Sequence, residues 1–312
     1  MPAASALTPL RIVSLLPSAT EIVAALGFQE ALVGRSHECD FPEGVERVPV
    51  CTAPKINPSV STREIHASVE DLVRRGLSVY RVDAERLREL SPTHIVTQVQ
   101  CEVCAVSLAE VEEALARWSA PRPLLISLNA ASLEGVWRDI ERVADGLGSP
   151  QRGRELSAQL RAQAEEIARK ARSIAPRPRV ATIEWLSPLM SAGNWIPELI
   201  EMAGGSNLFG QSGRHSPWLS WEDLRAADPD QIILFPCGFS LERLRQEIDL
   251  VTGLPGWDSL SAVRSRQVFL AEGNQLFNRP GPRLADTLEA LAEILHPELF
   301  RFGLEGTAWE RL

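Results

Sequence analysis

The sequence lacks the features of a membrane-spanning or nucleic-acid-binding protein. It has no stretch of about 18 apolar residues, the length that crosses a bilayer, and no basic stripe. Its net charge is −9. An acidic surface repels nucleic acid and anionic lipid, so we expect no nucleic acid partner and no membrane insertion.

The N-terminal segment also lacks the early cation and the unbroken apolar run of a secretory leader. The first cation is Arg11, and Thr8 and Pro9 interrupt the weakly apolar residues before it. Leaders carry a positively charged start followed by a continuous apolar stretch. The sequence as written therefore predicts a cytoplasmic protein, or a periplasmic or cell-surface protein if a leader has been removed.

Signatures of catalysis are missing as well. We find no nucleophile elbow, phosphate-binding glycine loop, zinc-helix motif with a glutamate, or dinucleotide fingerprint. Ser18 precedes a predicted helix but has no base beside it in the sequence. We therefore predict that the chain is not an enzyme, has no catalytic residues and requires no cofactor.

What is present is the composition of a globular protein with room for two domains. The chain has 312 residues, 45% hydrophobic and 23% charged. Its five cysteines are an odd number, at spacings that do not suggest a disulfide scaffold.

Short β-branched runs alternate with helical patterns in both halves, which is typical of an α/β fold with parallel sheets. In the first half we predict strands at 11–16, 31–34, 95–97 and 124–128, with helices at 20–26 and 106–118. In the second half we predict strands at 179–183, 232–235 and 268–270, with helices at 196–203 and 284–295.

A short repeat relates the two halves. Glu85 precedes Pro92 by the same seven residues that separate Glu222 from Pro229, and an apolar strand pattern follows each proline. Because the match recurs at the corresponding point of each half, it favours duplication of one α/β unit.

A long amphipathic helix lies between the halves. Apolar residues recur at steps of three and four from 149 to 174, and Pro176 ends the pattern. We therefore predict two Rossmann-like α/β lobes joined by one long backbone helix, with a ligand cleft between the lobes. The predicted boundaries are 1–128 for the N-terminal lobe, 129–176 for the connecting segment, and 177–312 for the C-terminal lobe.

These features resemble the helical-backbone periplasmic substrate-binding proteins for cobalamin, iron chelates and haem, and most closely their cobalamin-binding branch. The motifs that carry the resemblance run in family order along nearly the whole chain. They are 15–21 (LLPSATE), 33–34 (VG), 40–42 (DFP), 191–193 (SAG), 203–209 (AGGSNLF) and 277–283 (FNRPGPR).

The resemblance implies a non-enzymatic binding protein for cobalamin or a related metal chelate (a corrin, haem or siderophore), acting as a transport receptor or an intracellular carrier. It also implies that Glu85 and Glu222 dock on arginines of an ABC permease. The alternative is that both glutamates are solvated residues that the helix dipole favours in the first turn.

The resemblance and the loop positions together give a set of ligand-binding candidates. Trp218 lies on a Ser-Pro-Trp loop, where an indole suits stacking on a flat ligand. Glu38, Gln98 and Met190 stand where cobalamin binders of the family have aromatic residues, so the ligand contacts differ there. The candidates are Pro17, Ser18, Glu38, Gln98, Trp185, Met190, Trp218, Asn274 and Phe277.

A cysteine cluster fits a transport receptor less well. Cys101 and Cys104 follow a predicted strand, and His37 and Cys39 lie on another loop of the same edge. Three thiolates and an imidazole can hold zinc or iron; alternatively, the cysteines are structural or redox-inert. The second functional hypothesis is accordingly a cytoplasmic metal- or redox-responsive protein that uses Cys101 and Cys104 on the same scaffold. His66 and His94 are predicted to be surface residues or hydrogen-bonded core residues.

Overall fold

A computed structural model describes residues 9–75, 79–99, 108–116, 118 and 121–312. The first half of the chain contains strands β1 to β6 and helices α1 to α6. They are β1 Ile12–Ser14, α1 Pro17–Ala25, β2 Leu32–Arg35, β3 Thr52–Pro54, α2 Thr62–Arg74, β4 Tyr80–Val82, α3 Ala84–Leu90, β5 His94–Gln98, α4 Leu108–Leu115, β6 Leu124–Leu128, α5 Leu133–Gly146 and α6 Pro150–Ala171.

The second half repeats the alternation of strands and helices and adds a final strand. Its elements are β7 Arg179–Ile183, β8 Trp185–Leu186, β9 Leu189–Met190, α7 Ile196–Met202, β10 Ser206–Asn207, α8 Trp221–Ala227, β11 Gln231–Leu234, α9 Leu241–Glu247, α10 Asp249–Thr252, α11 Ser261–Arg264, β12 Val268–Ala271, α12 Leu284–Leu295 and β13 Trp309–Arg311.

The chain divides into two compact units. Unit 1 comprises Met1–Ile56, Asp71–Asn129 and Asp139–Leu156. Unit 2 comprises Asn57–Glu70, Ala130–Arg138 and Ser157–Leu312. Residues 57–70 therefore belong to unit 2, although the chain on either side of them belongs to unit 1.

The two sheets share one strand order, which agrees with the repeat found between the two halves of the sequence. The sheet of unit 1 has the order β2-β1-β5-β6, and all of its strands are parallel. The sheet of unit 2 has the order β10-β7-β11-β12-β13, in which only β13 is antiparallel. Numbered within each unit, both parallel sheets have the order 2-1-3-4, and the α/β fold predicted from the sequence is confirmed.

The central strands are buried because both faces of each parallel sheet are covered. Ile12, Val13 and Ile95 have no exposed surface in unit 1, and Ile232 and Leu234 have none in unit 2. Near-continuous β-branched and leucine runs are what such strands require. That pattern made these strands recognisable in the sequence.

The long helix is confirmed as α6, and its buried stripe follows helical periodicity. Its buried positions are Gly153, Ser157, Leu160, Ala164, Ile167 and Ala171, at steps of four and three. Ser157 Oγ donates to the Trp137 carbonyl at 3.2 Å, which satisfies the one hydroxyl in this stripe. The stripe includes Ser157, whereas the neighbouring Leu156 is only partly buried.

The first helix begins three residues earlier than the predicted start at 20. Helix α1 begins at Pro17, with Leu16 at the N-cap and no side-chain cap. Proline is favoured at the first helical position because its fixed φ suits the helix and it has no N–H to satisfy. Thr20 therefore lies inside the helix, where its Oγ1 donates to Ser14 Oγ at 2.8 Å.

Candidate functional site

The candidate residues of unit 1 lie where parallel strands end. Pro17 and Ser18 follow β1, His37 and Glu38 follow β2, and Gln98 is the last residue of β5. These three strands are neighbours in the sheet. Loops at the carboxyl ends of adjacent parallel strands meet at one edge, where α/β proteins commonly bind ligands. The structure thus brings the predicted residues of this unit to one edge of its sheet.

Buried hydroxyls join two of these loops. Thr20 Oγ1 contacts Ser14 Oγ at 2.8 Å and Cys39 Sγ at 3.0 Å. All three side chains are at least 98% buried. This network fixes the loop after β2 to the first turn of α1, so the position of Cys39 is set by hydrogen bonds.

A second network holds the His37 ring. His37 Nδ1 lies 2.7 Å from Thr52 Oγ1, which in turn donates to Ser36 Oγ at 3.0 Å. Burial lowers the pKa of His37, and the nearby Arg35 guanidinium lowers it further. The imidazole is therefore held more strongly in its neutral form than an exposed histidine would be.

Tyr80 is a residue of this edge that the sequence analysis missed. Its hydroxyl donates to Glu38 Oε1 at 3.0 Å, and its ring centroid lies 5.6 Å from that of His37. An aromatic ring therefore stands beside Glu38, one of the positions where the resemblance implied a lost aromatic contact. That Tyr80 is the only tyrosine in the chain was the available signal.

Ser18 and Gln98 are almost fully buried, with 2% and 5% of their surfaces exposed. In the described part of the chain, Ser18 Oγ has no hydrogen-bond partner. A buried hydroxyl without a partner costs free energy unless a ligand or water satisfies it. Ser18 therefore remains a candidate for hydrogen bonding to a ligand.

Trp185, Met190 and Trp218 come together in unit 2. Strands β8 and β9 form a hairpin that pairs Trp185 with Met190, and an antiparallel bridge pairs Met190 with Trp218. Backbone hydrogen bonds on both sides of this bridge, Ser191 N to the Pro217 carbonyl at 3.0 Å and Leu219 N to the Leu189 carbonyl at 2.9 Å, fix the segment. Trp218 is nonetheless 61% exposed. The structure thus holds a large indole at the surface on a backbone that is itself paired.

The Trp185 ring is half-buried and packs against Phe239, with ring centroids 5.9 Å apart. Its Nε1 is buried and has no acceptor among the described residues. Buried indole N–H groups normally find a partner. Trp185 can therefore offer a hydrogen bond to a ligand.

The loop after β12 holds Asn274 and Phe277 in a π-helical turn, Gly273–Phe277. The Glu272 carboxylate caps the turn by accepting from Asn274 N at 3.1 Å. Asn274 is half-buried. The Phe277 ring is fully buried, 4.8 Å from the Phe235 ring, so in this structure it packs in the core and offers no surface to a ligand.

His66 is a further residue of unit 2 that sequence reasoning did not connect with this site. It lies on α2, and its ring centroid is 5.4 Å from that of Trp218, with the two ring planes at 83°. No local pattern links positions so far apart in the chain. The contact arises because residues 57–70 belong to unit 2.

The proposed metal site falls partly outside the described structure. Cys101 and Cys104 lie outside the described residues, and Cys39 and His37 are placed as above. Among the residues that are described, no group of three or more histidine, cysteine or acidic side chains could hold a metal ion.

Glu85 and Glu222 occupy equivalent positions in the two units. Each is the second residue of a seven-residue helix, α3 or α8, and each is exposed. Both helices have a side-chain N-cap and end at a non-glycine residue of positive φ, Ser91 at 44° and Asp228 at 40°. Within the described chain neither glutamate forms an ion pair.

A search of the described residues for helices that are long and apolar enough to span a bilayer found none.

Comparison with known proteins gives a family and a consistent set of relatives. The family model described as periplasmic binding protein matches residues 12–274. An uncharacterized ABC transporter substrate-binding lipoprotein, YvrC of Bacillus subtilis, is 22% identical over 94% of this chain and 82% of its own length. The vitamin B12-binding protein of Vibrio campbellii is 24% identical over 91% of this chain and 87% of its own.

Solved structures agree on the fold. The periplasmic heme-binding protein RhuT from Roseiflexus sp. RS-1, in its apo form, superposes with a TM-score of 0.69 at 25% identity. The match covers 93% of this chain and 99% of that one. The predicted resemblance to the cobalamin and iron-chelate branch of these proteins is confirmed.

The same relatives correct one expectation. They include a substrate-binding lipoprotein and a periplasmic heme-binding protein. The prediction of a cytoplasmic protein, drawn from the N-terminal residues, is therefore wrong.

Proposed function

Because this chain belongs to the periplasmic binding protein family, whose members bind substrates without transforming them, we propose that it is the receptor of an importer for a flat metal-chelate ligand. Cobalamin is the first ligand to test, and haem the second. Relatives named for vitamin B12 and for heme support this choice. The alternative of a metal- or redox-responsive protein gains no support from the relatives.

The observation that carries the proposal is the exposed indole of Trp218. Its backbone is paired on both sides, so the ring is presented without ordering a loop. Binding costs fall when the contacting group is already held in place. Trp185 adds an unsatisfied N–H in the same group of residues, and corrin side chains carry many carbonyl acceptors.

The cost of losing this indole can be worked out from its exposure. Covering one face of a ring that is 61% exposed removes on the order of 60 Å² of apolar surface, about 1.5 kcal/mol. Stacking geometry adds about 1 kcal/mol. Trp218→Ala is therefore expected to weaken ligand binding by roughly 60-fold.

The test is a titration of the purified protein with hydroxocobalamin, followed by absorbance and calorimetry. We expect one equivalent to bind to the wild type, and Trp218→Ala to weaken binding while Trp218→Phe retains most of it. Phe302→Ala is a matched control, since Phe302 is an exposed aromatic residue of unit 2 on the segment after α12. The proposal is refuted if the wild type binds neither hydroxocobalamin nor hemin.

For the partner, we propose that Glu85 and Glu222 dock on basic residues of the permease. Their equivalent helix positions and their lack of ion pairs in the described chain support this role, because two like carboxylates suit a symmetric basic partner. Glu85→Arg with Glu222→Arg is expected to abolish ligand uptake in cells and leave ligand titrations of the purified protein unchanged. Reversal of the neighbouring exposed Glu89 serves as the control. Unchanged uptake in the double variant would contradict docking through these residues.

We also propose, separately, that His37, Cys39, Cys101 and Cys104 bind zinc or iron. The shared loop of His37 and Cys39 after β2 supports the first half of this site. The test is metal analysis of anaerobically purified protein. Stoichiometric metal that is lost in Cys101→Ser with Cys104→Ser is the expected result, and a metal-free wild type would rule the site out.

A further inference from the structure

His66 differs from the other histidines of the chain in its hydrogen bonding. Four of the five histidine rings have a hydrogen-bonding atom within 3.2 Å: His37 at Thr52, His94 at Thr93, His215 at the Ser216 carbonyl and His296 at the Gly204 carbonyl. Within the described residues, the ring nitrogens of His66 have no such partner. An imidazole with a free lone pair can coordinate a metal ion.

The position of His66 is fixed by the first turns of α2. Thr62 is fully buried and Ile65 is 9% exposed. His66 comes directly after Ile65 and one helical turn after Thr62, so it lies beside the packed face of the helix. Thr62 N donates to Glu247 Oε2 at 2.7 Å, and the Thr62 hydroxyl donates to the same oxygen. Arg243 Nη2 donates to the Val60 carbonyl at 2.8 Å, which fixes the segment that leads into the helix.

The geometry of His66 and Trp218 suits a single flat ligand. A metal bound to an imidazole nitrogen lies in the imidazole plane, so a macrocycle around that metal stands perpendicular to the imidazole. The Trp218 plane is also close to perpendicular to it, at 83°. A macrocycle that His66 ligates can therefore run parallel to the indole.

The distances from the two rings to the plane of a macrocycle are also compatible. A metal–nitrogen bond is roughly 2 Å long, and the imidazole extends beyond its nitrogen. A stacked indole lies about 3.5 Å from the macrocycle plane. With ring centroids 5.4 Å apart, His66 can bind the central metal while Trp218 covers the periphery of the same face.

We propose that His66 is an axial ligand to the metal of a macrocyclic chelate, either a corrin or a porphyrin, that stacks on Trp218. This inference rests on the proposed function and deepens it. With aquocobalamin, the cobalt-bound water leaves as a neutral molecule and the imidazole lone pair takes its place. No electron or proton is transferred in this exchange.

The experiment compares two cobalamins that differ at the exchangeable axial position. The aquo form of hydroxocobalamin exchanges its ligand, whereas the cyanide of cyanocobalamin holds the position. We expect the wild type to bind aquocobalamin at least tenfold more tightly than cyanocobalamin and to shift the absorbance bands of the aquo form alone. His66→Ala is expected to remove both differences, so that the variant binds the two cobalamins with similar affinity and shifts the bands of neither. His66→Phe keeps an aromatic ring without a lone pair and should behave as the alanine variant does.

Each other outcome has a distinct meaning. Equal binding of both cobalamins by the wild type, without a band shift, overturns axial ligation and leaves the receptor proposal standing. If only hemin binds, a spectrum of histidine-ligated haem that is lost in both His66 variants supports the inference, and a spectrum unchanged in those variants overturns it. Absence of binding to all three chelates overturns the receptor proposal itself, and the inference with it.

Discussion

Replacing Arg243 with alanine should release residues 57–70 from α9. The Arg243 guanidinium donates to the carbonyls of Pro58 and Val60, lies 3.6 Å from the Glu247 carboxylate, and covers the Phe239 ring at 3.9 Å. Every one of these contacts lies within unit 2. The substitution therefore removes two of the four hydrogen bonds that join this segment to α9.

The expected magnitude follows from these contacts. Hydrogen bonds to a charged group contribute about 1.5–3 kcal/mol each, and a cation over an aromatic ring about 0.5–2 kcal/mol. The Arg243 side chain is 24% exposed and that of Glu247 is 15% exposed, so solvent screening reduces the sum. We expect a loss of about 2–4 kcal/mol in the free energy that holds this segment closed.

Hydrogen exchange followed by mass spectrometry measures this loss directly. When reclosing outpaces exchange, the exchange rate follows the free energy of local opening, so amides of residues 60–70 should exchange at least tenfold faster in Arg243→Ala. Arg245→Ala is the matched control, because Arg245 lies on the same helix but pairs with Glu310. Equal protection of residues 60–70 in the wild type and Arg243→Ala would refute the anchoring argument.

Further predictions concern reactivity and stability. Burial raises the pKa of the Cys51 thiol to about 11, whereas Cys237 is exposed; iodoacetamide followed by peptide mapping should label Cys237 in the folded protein and Cys51 only after unfolding. The buried carboxylate of Glu293 accepts from three backbone N–H groups and from the Trp309 indole, so Glu293→Ala should lower the free energy of urea unfolding by about 3–5 kcal/mol. Burial lowers the pKa of His94, so as pH falls the unfolded chain is protonated at this residue before the folded chain is. The free energy of unfolding should therefore fall as pH drops below about 6.5. His94→Gln should show a smaller fall between pH 7 and 5, and an identical fall would contradict this assignment.

The segment that occurs once in each unit, around Glu85 and around Glu222, could be predicted because its signals are local. A capping side chain, a seven-residue helix, a residue of positive φ, a proline and an apolar strand follow one another within about fifteen positions in each unit. The equal spacing from Glu85 to Pro92 and from Glu222 to Pro229 reflects this common order of features. Each feature depends on residues close to it in the sequence, so the pattern can be recognised without knowledge of the tertiary contacts.

Residues 51–82 could not be predicted for the opposite reason. Strands β3 and β4 have three residues each and, among the strands that the structure describes, pair with one another alone. Three residues are too few for an alternating pattern. Helix α2 is held by Glu247 and Arg243, which lie more than 170 positions further along the chain. No periodicity encodes such a contact, so the packing of His66 against Trp218 became visible only in the structure.

The Ser191-Ala-Gly193 motif shows how a family resemblance can have a local physical cause. A Cβ on Gly193 would stand 2.5 Å from the Arg214 carbonyl oxygen and 2.7 Å from the Ser216 nitrogen, and neither backbone atom can rotate away. Gly193 N instead donates to Ser216 Oγ at 3.1 Å, and that hydroxyl donates to Glu184 Oε2 at 2.9 Å. Residues 214–216, which lead to Trp218, can thus approach the backbone at position 193 this closely only because that position has no side chain. Gly193 therefore supports the segment that leads to the indole through backbone packing and a hydrogen bond, which requires no contact between the glycine and a ligand.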